Sequence, residues 1–179
     1  MRLFRCPTVK QVCLPFLFML FVVLIINFIA GSIFAGVSGP AAPDFTLNDV
    51  HGKKISLSAF KGNIVILNFW ATWCGSCKAE MPSLNNLYLE FKNKGLAVLA
   101  ISIDPEENPV LSFIAEKKLA FPVLIDKSKE VYFDSYAVIG LPATFIIDRK
   151  GVVIENIMGE QEWDSPKMKE KILNLLTGR

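Results

Sequence analysis

The sequence predicts an α/β domain, with a mixed central sheet flanked by helices and opened by a hairpin, behind one transmembrane helix. Three observations carry this. Residues 12–35 form 24 consecutive positions without a charge. Residues 64–70 (IVILNFW) and 96–103 (LAVLAISI) are continuous apolar runs of strand length, as expected of strands covered on both faces. Residues 144–147 and 152–158 are strand-like and joined only by the turn 148–151, so they must pair antiparallel and the sheet is mixed.

Taken in order, residues 1–11 read as a cytoplasmic tip carrying Arg2, Arg5 and Lys10. As a helix, residues 12–35 would be about 36 Å long, enough for a hydrocarbon core of about 30 Å. This length favours an uncleaved anchor over a cleaved signal, whose apolar stretch is shorter, although small residues after Ala30 and Gly36 offer cleavage sites. Cys13 follows Lys10-Gln11-Val12, unlike a lipidation site. A positive tip stays on the cytoplasmic side, which puts the remainder outside. Residues 36–42 (GVSGPAA) read as a linker, and 43–179 as the globular domain.

Within that domain, residues 44–47 and 54–57 flank a turn at His51-Gly52 and form the hairpin. A helix starts at Cys74 and runs to about Lys94, with Met81, Leu84, Leu87, Leu89 and Phe91 as its apolar positions and Pro82 as a kink. Residues 108–118 are amphipathic and helical, 121–125 a short strand, 130–136 a short helix. Glu106 and Glu107 read as a solvated loop. The last helix has Ser165 at its cap, Pro166 in its first turn and Gly178 near its end.

Apolar residues make up 52% of the chain and mean hydropathy is +0.41, an excess concentrated in the first forty residues. Three of the 19 basic residues and none of the 17 acidic ones precede the globular part, which is therefore nearly neutral. A near-neutral surface with scattered charge excludes an electrostatic footprint for nucleic acid. Of the four cysteines, Cys6 and Cys13 lie at the membrane segment as incidental thiols. Cys74 and Cys77 form the one close pair, a CxxC following an apolar strand and opening a helix.

That placement points to redox chemistry. Helix N-terminal amides and the macrodipole favour a thiolate at Cys74, the more exposed sulfur, while Cys77 lies one turn later and faces inward. Cys74 attacks a partner disulfide, and Cys77 then attacks Cys74 and releases the reduced partner, with no metal or organic cofactor required. A structural disulfide closing so small a loop would stabilise little. A zinc site needs about four ligands, and His51 is the sole histidine.

The segment FWATWCGSCKAEMP (residues 69–82) resembles the active-site segment of the thioredoxin superfamily. With APDFTL (42–47), GLPATFIID (140–148) and the ID-x-x-G turn, it is similar in particular to the membrane-anchored TlpA/ResA/CcmG branch of the redoxin or AhpC/TSA superfamily. The likeness spans about residues 43–176 and implies a thioredoxin-like fold. It implies reduction of disulfides in partner proteins, for example apocytochrome c during cytochrome c maturation, fed by a membrane electron donor. It implies a cis Pro142 facing the CxxC, with the Leu141 backbone pairing with a bound partner. Glu80, three residues after Cys77, would move protons for the thiols. Trp73, Gly75 and Ser76 would meet the substrate beside the reactive thiol. Residues 104–125 resemble the branch's strand–helix insertion. The position of thioredoxin's buried aspartate is Asn68, which takes no proton at neutral pH and leaves that task to Glu80 or water. Nothing in the sequence calls for more than a monomer.

Two rivals are weaker. A peroxidase of the same superfamily needs Pro-x-x-x-Thr-x-x-Cys, but Leu67 and Ala71 occupy those positions, and Arg149 and Arg179 are the domain's only arginines. A copper carrier would add a histidine late in the domain, whereas His51 lies in the hairpin turn.

Overall fold

The structure, a computed structural model, describes residues 39–178. The tip and membrane segment read at residues 1–35 lie outside the described residues. Among those described, no helix is long and apolar enough to cross a membrane.

Seven strands form one sheet in the order β2-β1-β5-β4-β3-β6-β7. They are β1 (Thr46–Asp49), β2 (Lys54–Ser56), β3 (Ile64–Trp70), β4 (Leu96–Ser102), β5 (Val123–Ile125), β6 (Ala143–Ile147) and β7 (Val153–Met158). The helices are α1 (Gly75–Phe91), α2 (Glu107–Lys117) and α3 (Pro166–Thr177). β3 pairs parallel with β4, and β4 with β5, while β6 runs antiparallel to β3 and β7 to β6. The sheet is mixed as the chain's connections require.

The fully apolar strands occupy the middle. Every residue of β3, β4 and β6 is buried, and Phe69, Leu99, Ile101 and Ile146 form the interior with Met81, Leu84 and Leu87 of α1. β7, on the sheet edge, alternates between half-buried and exposed residues, as a strand with one solvated face should. The hairpin β1–β2 also pairs through β1 with β5, so it extends the central sheet. Two-residue pairing of Asn48 and Asp49 with Ile125 and Leu124 makes that junction, a long-range contact that periodicity does not announce.

Several sequence expectations shift. The first helix ends its α-helical part at Phe91, and Lys92–Lys94 tightens into a 3-10 turn closed by Gly95 at φ 98. Leu89 does not join the apolar face: it is 45% exposed, because its position on α1 points away from the sheet that buries Leu84 and Leu87. Glu107 is not loop but the first residue of α2, where a carboxylate suits the helix N-terminus, and it pairs with Lys127 at 3.2 Å. The segment read as a short helix at 130–136 is a π-type turn, Val131–Ser135.

Residues 40–42 do not hang free. Val153 N donates to the Pro40 carbonyl at 2.9 Å, and Ala42 N donates to that of Gly151 at 2.8 Å. Gly39 passes so near this strand that a Cβ there would lie 2.1 Å from the Val153 oxygen, which leaves room for glycine alone.

Candidate active site

The CxxC sits where β3 gives way to α1. Cys74 is the N-cap: its backbone is extended (φ −88, ψ 111) and its Sγ accepts the Cys77 N–H at 3.2 Å. A sulfur thus fills the position usually held by a capping oxygen and takes one of the helix's free amide donors. The two cysteines are joined in a disulfide. Cys74 is 8% exposed and Cys77 fully buried, so any partner meets Cys74 first. Ser76 Oγ lies 3.5 Å from Cys74 Sγ, and Gly75 is exposed. Trp73, 65% exposed, flanks the thiol, whereas Trp70 is buried against Phe113 with ring centroids 5.3 Å apart.

The turn that carries these residues is tied down by a carboxylate. Asp104, buried at the end of β4, accepts Thr72 N at 2.9 Å and Thr72 Oγ1 at 2.6 Å, and also the Ser102 hydroxyl at 2.7 Å. A buried carboxyl is tolerated because its oxygens are occupied by donors.

Across the sheet, Phe69 of β3 pairs with Ala143 of β6. This register brings Pro142 level with the end of β3 from which the CxxC turn departs. Pro142 is buried, and its bond to Leu141 is cis. Leu141 is half-buried, and Ile139, two residues before it, is 93% exposed, leaving an apolar rim on this side.

Glu80 is not a solvated surface residue. It is 2% exposed, one turn after Cys77. Its Oε1 accepts Asn68 Nδ2 at 2.8 Å; its Oε2 accepts Gln161 N at 3.0 Å and Trp163 Nε1 at 3.2 Å. Burial holds its carboxyl above the ordinary carboxylate range, against the lowering effect of those three donors and with a small push from Glu160. Asn68, read from sequence only as a lost proton carrier, is the residue that grips Oε1, and its Nδ2 also donates to Thr144 Oγ1 at 2.8 Å. Sequence reasoning missed Gln161, Trp163, Thr144 and Asp104. The one signal available was a tryptophan in a polar loop just before a helix cap, a place where a large apolar side chain needs a reason to be.

A vicinal cysteine pair capping a helix, on a thioredoxin-like sheet and beside a cis proline, defines a thiol–disulfide oxidoreductase. The chain belongs to the AhpC/TSA family, which it matches over residues 38–156. It is similar to the thiol-disulfide oxidoreductase ResA of Bacillus thuringiensis subsp. konkukian, 47% identical over 123 residues that cover 69% of this chain and 70% of the relative. ResA of Bacillus subtilis is 39% identical over 135 residues, covering 73% and 75%. A thiol:disulfide interchange protein of the thioredoxin family from Chlorobium tepidum superposes with a TM-score of 0.70 at 26% identity, over 79% of this chain and 99% of that one.

Proposed function

We propose that this oxidoreductase is a reductant held by residues 12–35 in the cytoplasmic membrane, with its domain on the outer side. Its substrates are disulfides in partner proteins, apocytochrome c being the example the family suggests, and a membrane dithiol donor restores its own reduced form. Cys74 thiolate attacks one sulfur of the substrate disulfide, forms a mixed disulfide and expels the other sulfur as a thiolate. Cys77 gives up its proton, attacks Cys74 and expels the second substrate thiolate. The substrate gains two electrons, and the protein is left with the Cys74–Cys77 disulfide. Glu80, one turn from Cys77, is the base that accepts the Cys77 proton. Pro142 and the Leu141 backbone dock the substrate strand, with Trp73, Gly75 and Ser76 around the entering sulfur.

The observation that carries this reading is the unequal burial of two bonded sulfurs at one helix end: one reachable, one sealed behind it. Capture tests it. In full-length membrane-bound protein, Cys77→Ser should accumulate mixed disulfides with the substrate, and Cys74→Ser should lose at least a hundredfold in disulfide reduction, or about 2.7 kcal/mol of barrier. Full activity in Cys74→Ser would overturn the assigned roles. Captured partners confined to the cytoplasm would overturn the topology instead.

A further inference from the structure

We propose that Trp163 and Asn68 are positioning residues that confine the exchangeable proton of Glu80 to one oxygen, Oε1. The two carboxyl oxygens have partners of different kinds. Oε2 receives the Gln161 backbone N–H at 3.0 Å and the Trp163 indole N–H at 3.2 Å, and neither group can reverse and accept. A proton on Oε2 would collide with two donors. Oε1 has the Asn68 amide, 2.8 Å away, and a carboxamide rotated by half a turn offers its oxygen in place of its nitrogen. Thr144 Oγ1, on the same Asn68 nitrogen at 2.8 Å, can follow, because a hydroxyl serves as donor or acceptor. Asn68 Oδ1 is buried and has no partner among the described residues, so an idle acceptor is already built into the network.

The clamp on Oε2 is itself anchored at two points. Trp163 N donates to Ser83 Oγ at 3.1 Å, and that hydroxyl donates to the Glu80 carbonyl at 2.8 Å. Gly159 N donates to the Pro142 carbonyl at 2.9 Å, so the loop that clamps the carboxyl also holds the cis proline. Asn68 faces Glu80 from β3, Thr144 stands behind it on β6, and Glu160, Gln161 and Trp163 face it from the loop; Glu160 is the charge among them. On its own helix, Cys77 becomes titratable once the disulfide opens. The confinement is a property of the carboxyl itself; its use in exchange rests on the proposed role of Glu80 as a base.

Nuclear magnetic resonance of the full-length, disulfide-form protein in detergent micelles tests it. Trp163 is assigned by the indole signal lost in Trp163→Phe or, should that variant not fold, by elimination with Trp70→Phe and Trp73→Phe. As the Glu80 carboxyl carbon titrates, the Trp163 indole proton should stay in its hydrogen-bonded position throughout. The Asn68 side-chain NH2 protons should lose theirs with the same midpoint, and this pH response should vanish in Glu80→Gln. In folded Trp163→Phe, the proton affinity of Glu80 should rise about tenfold, as expected for one lost hydrogen bond to a carboxylate. A Trp163 bond that breaks on protonation while Asn68 stays put, or indifference of both, overturns the proposal. A separate readout isolates the catalytic reading: if Glu80→Gln leaves the pH profile of disulfide exchange unchanged, Glu80 is not the base, whatever the carboxyl shows.

Discussion

At the scale of single residues, Glu80 shows how burial and donors compete. Removal from water favours the neutral carboxyl, and three N–H groups favour the charged one; burial prevails and the proton affinity is raised. The consequence for stability has a definite sign. In the unfolded chain the carboxyl ionises in the ordinary carboxylate range, but in the folded protein it ionises only at higher pH. Between the two the folded state binds more protons, so stability contributed by Glu80 is present below the unfolded value and is lost as pH rises through the folded one. The carboxamide of Glu80→Gln would place its NH2 where Oε1 faces a turned Asn68 and its oxygen where Oε2 meets Gln161 and Trp163, imitating the protonated acid. This variant should therefore fold and flatten this component of the pH dependence. Urea midpoints across the mildly acidic to neutral range, in the disulfide form, measure it; a wild-type-like slope in the variant would contradict the account. The pairing of Cys74 with Cys77 at the head of α1 and the cis bond of Pro142 were legible in the sequence because each belongs to a short local pattern. The setting of Glu80 was not, because Asn68 and Trp163 stand 12 and 83 residues away and no spacing rule links them.

At the scale of elements, the CxxC turn owes its geometry to strand ends as much as to the helix it opens. Thr72 is fixed by Asp104, 32 residues on, through its backbone and its hydroxyl. The parallel register that sets Trp70 opposite Ser102 brings these two strand ends together. Asp104→Ala leaves the Thr72 amide and the Ser102 hydroxyl without their acceptor in a buried site, and should cost about 2–4 kcal/mol. Exchange by Cys74 should also slow several-fold, about 1 kcal/mol of barrier, as the sulfur loses its fixed position. Chemical denaturation and reduction of a model disulfide separate the two effects; an unaltered midpoint would show that the Asp104 contacts contribute nothing. The helix caps were easier to foresee. Ser165 accepts Met168 N ahead of Pro166, as the sequence proposed, and Ser165→Ala should cost about 1 kcal/mol in the same assay. Strand existence was likewise readable from continuous apolar runs, but the pairing of β1 with β5 was not, since it rests on two residues of register between segments far apart in the chain.

At the scale of the whole molecule, the question is where the folded domain begins. The composition of residues 36–42, small and rich in glycine and proline, reads as a tether, and local sequence gives no other signal. The backbone of residues 40–42 nevertheless bonds the turn between β6 and β7 through Pro40, Ala42 and a bridge from Ala41 to Val152. Ala42 also packs on the core. Among the described residues, the sheet, the core and the CxxC form one compact unit from Gly39 onward, so a fragment starting there should fold cooperatively and form the Cys74–Cys77 disulfide. A fragment starting at Pro43 loses two backbone hydrogen bonds, each about 1 kcal/mol net, and the apolar cover of Ala42, offset by the freedom the removed residues regain. The shorter fragment should thus be less stable by about 1–2 kcal/mol, with an unchanged denaturant slope because little surface is involved. Equal midpoints for the two fragments would return residues 39–42 to the tether. A lower midpoint for the fragment from Pro43 would mean that the edge of the sheet itself fixes where the chain leaves the domain, so that a pull on the chain ahead of Pro40 is felt first at the β6–β7 turn, on the strand pair that also carries Pro142.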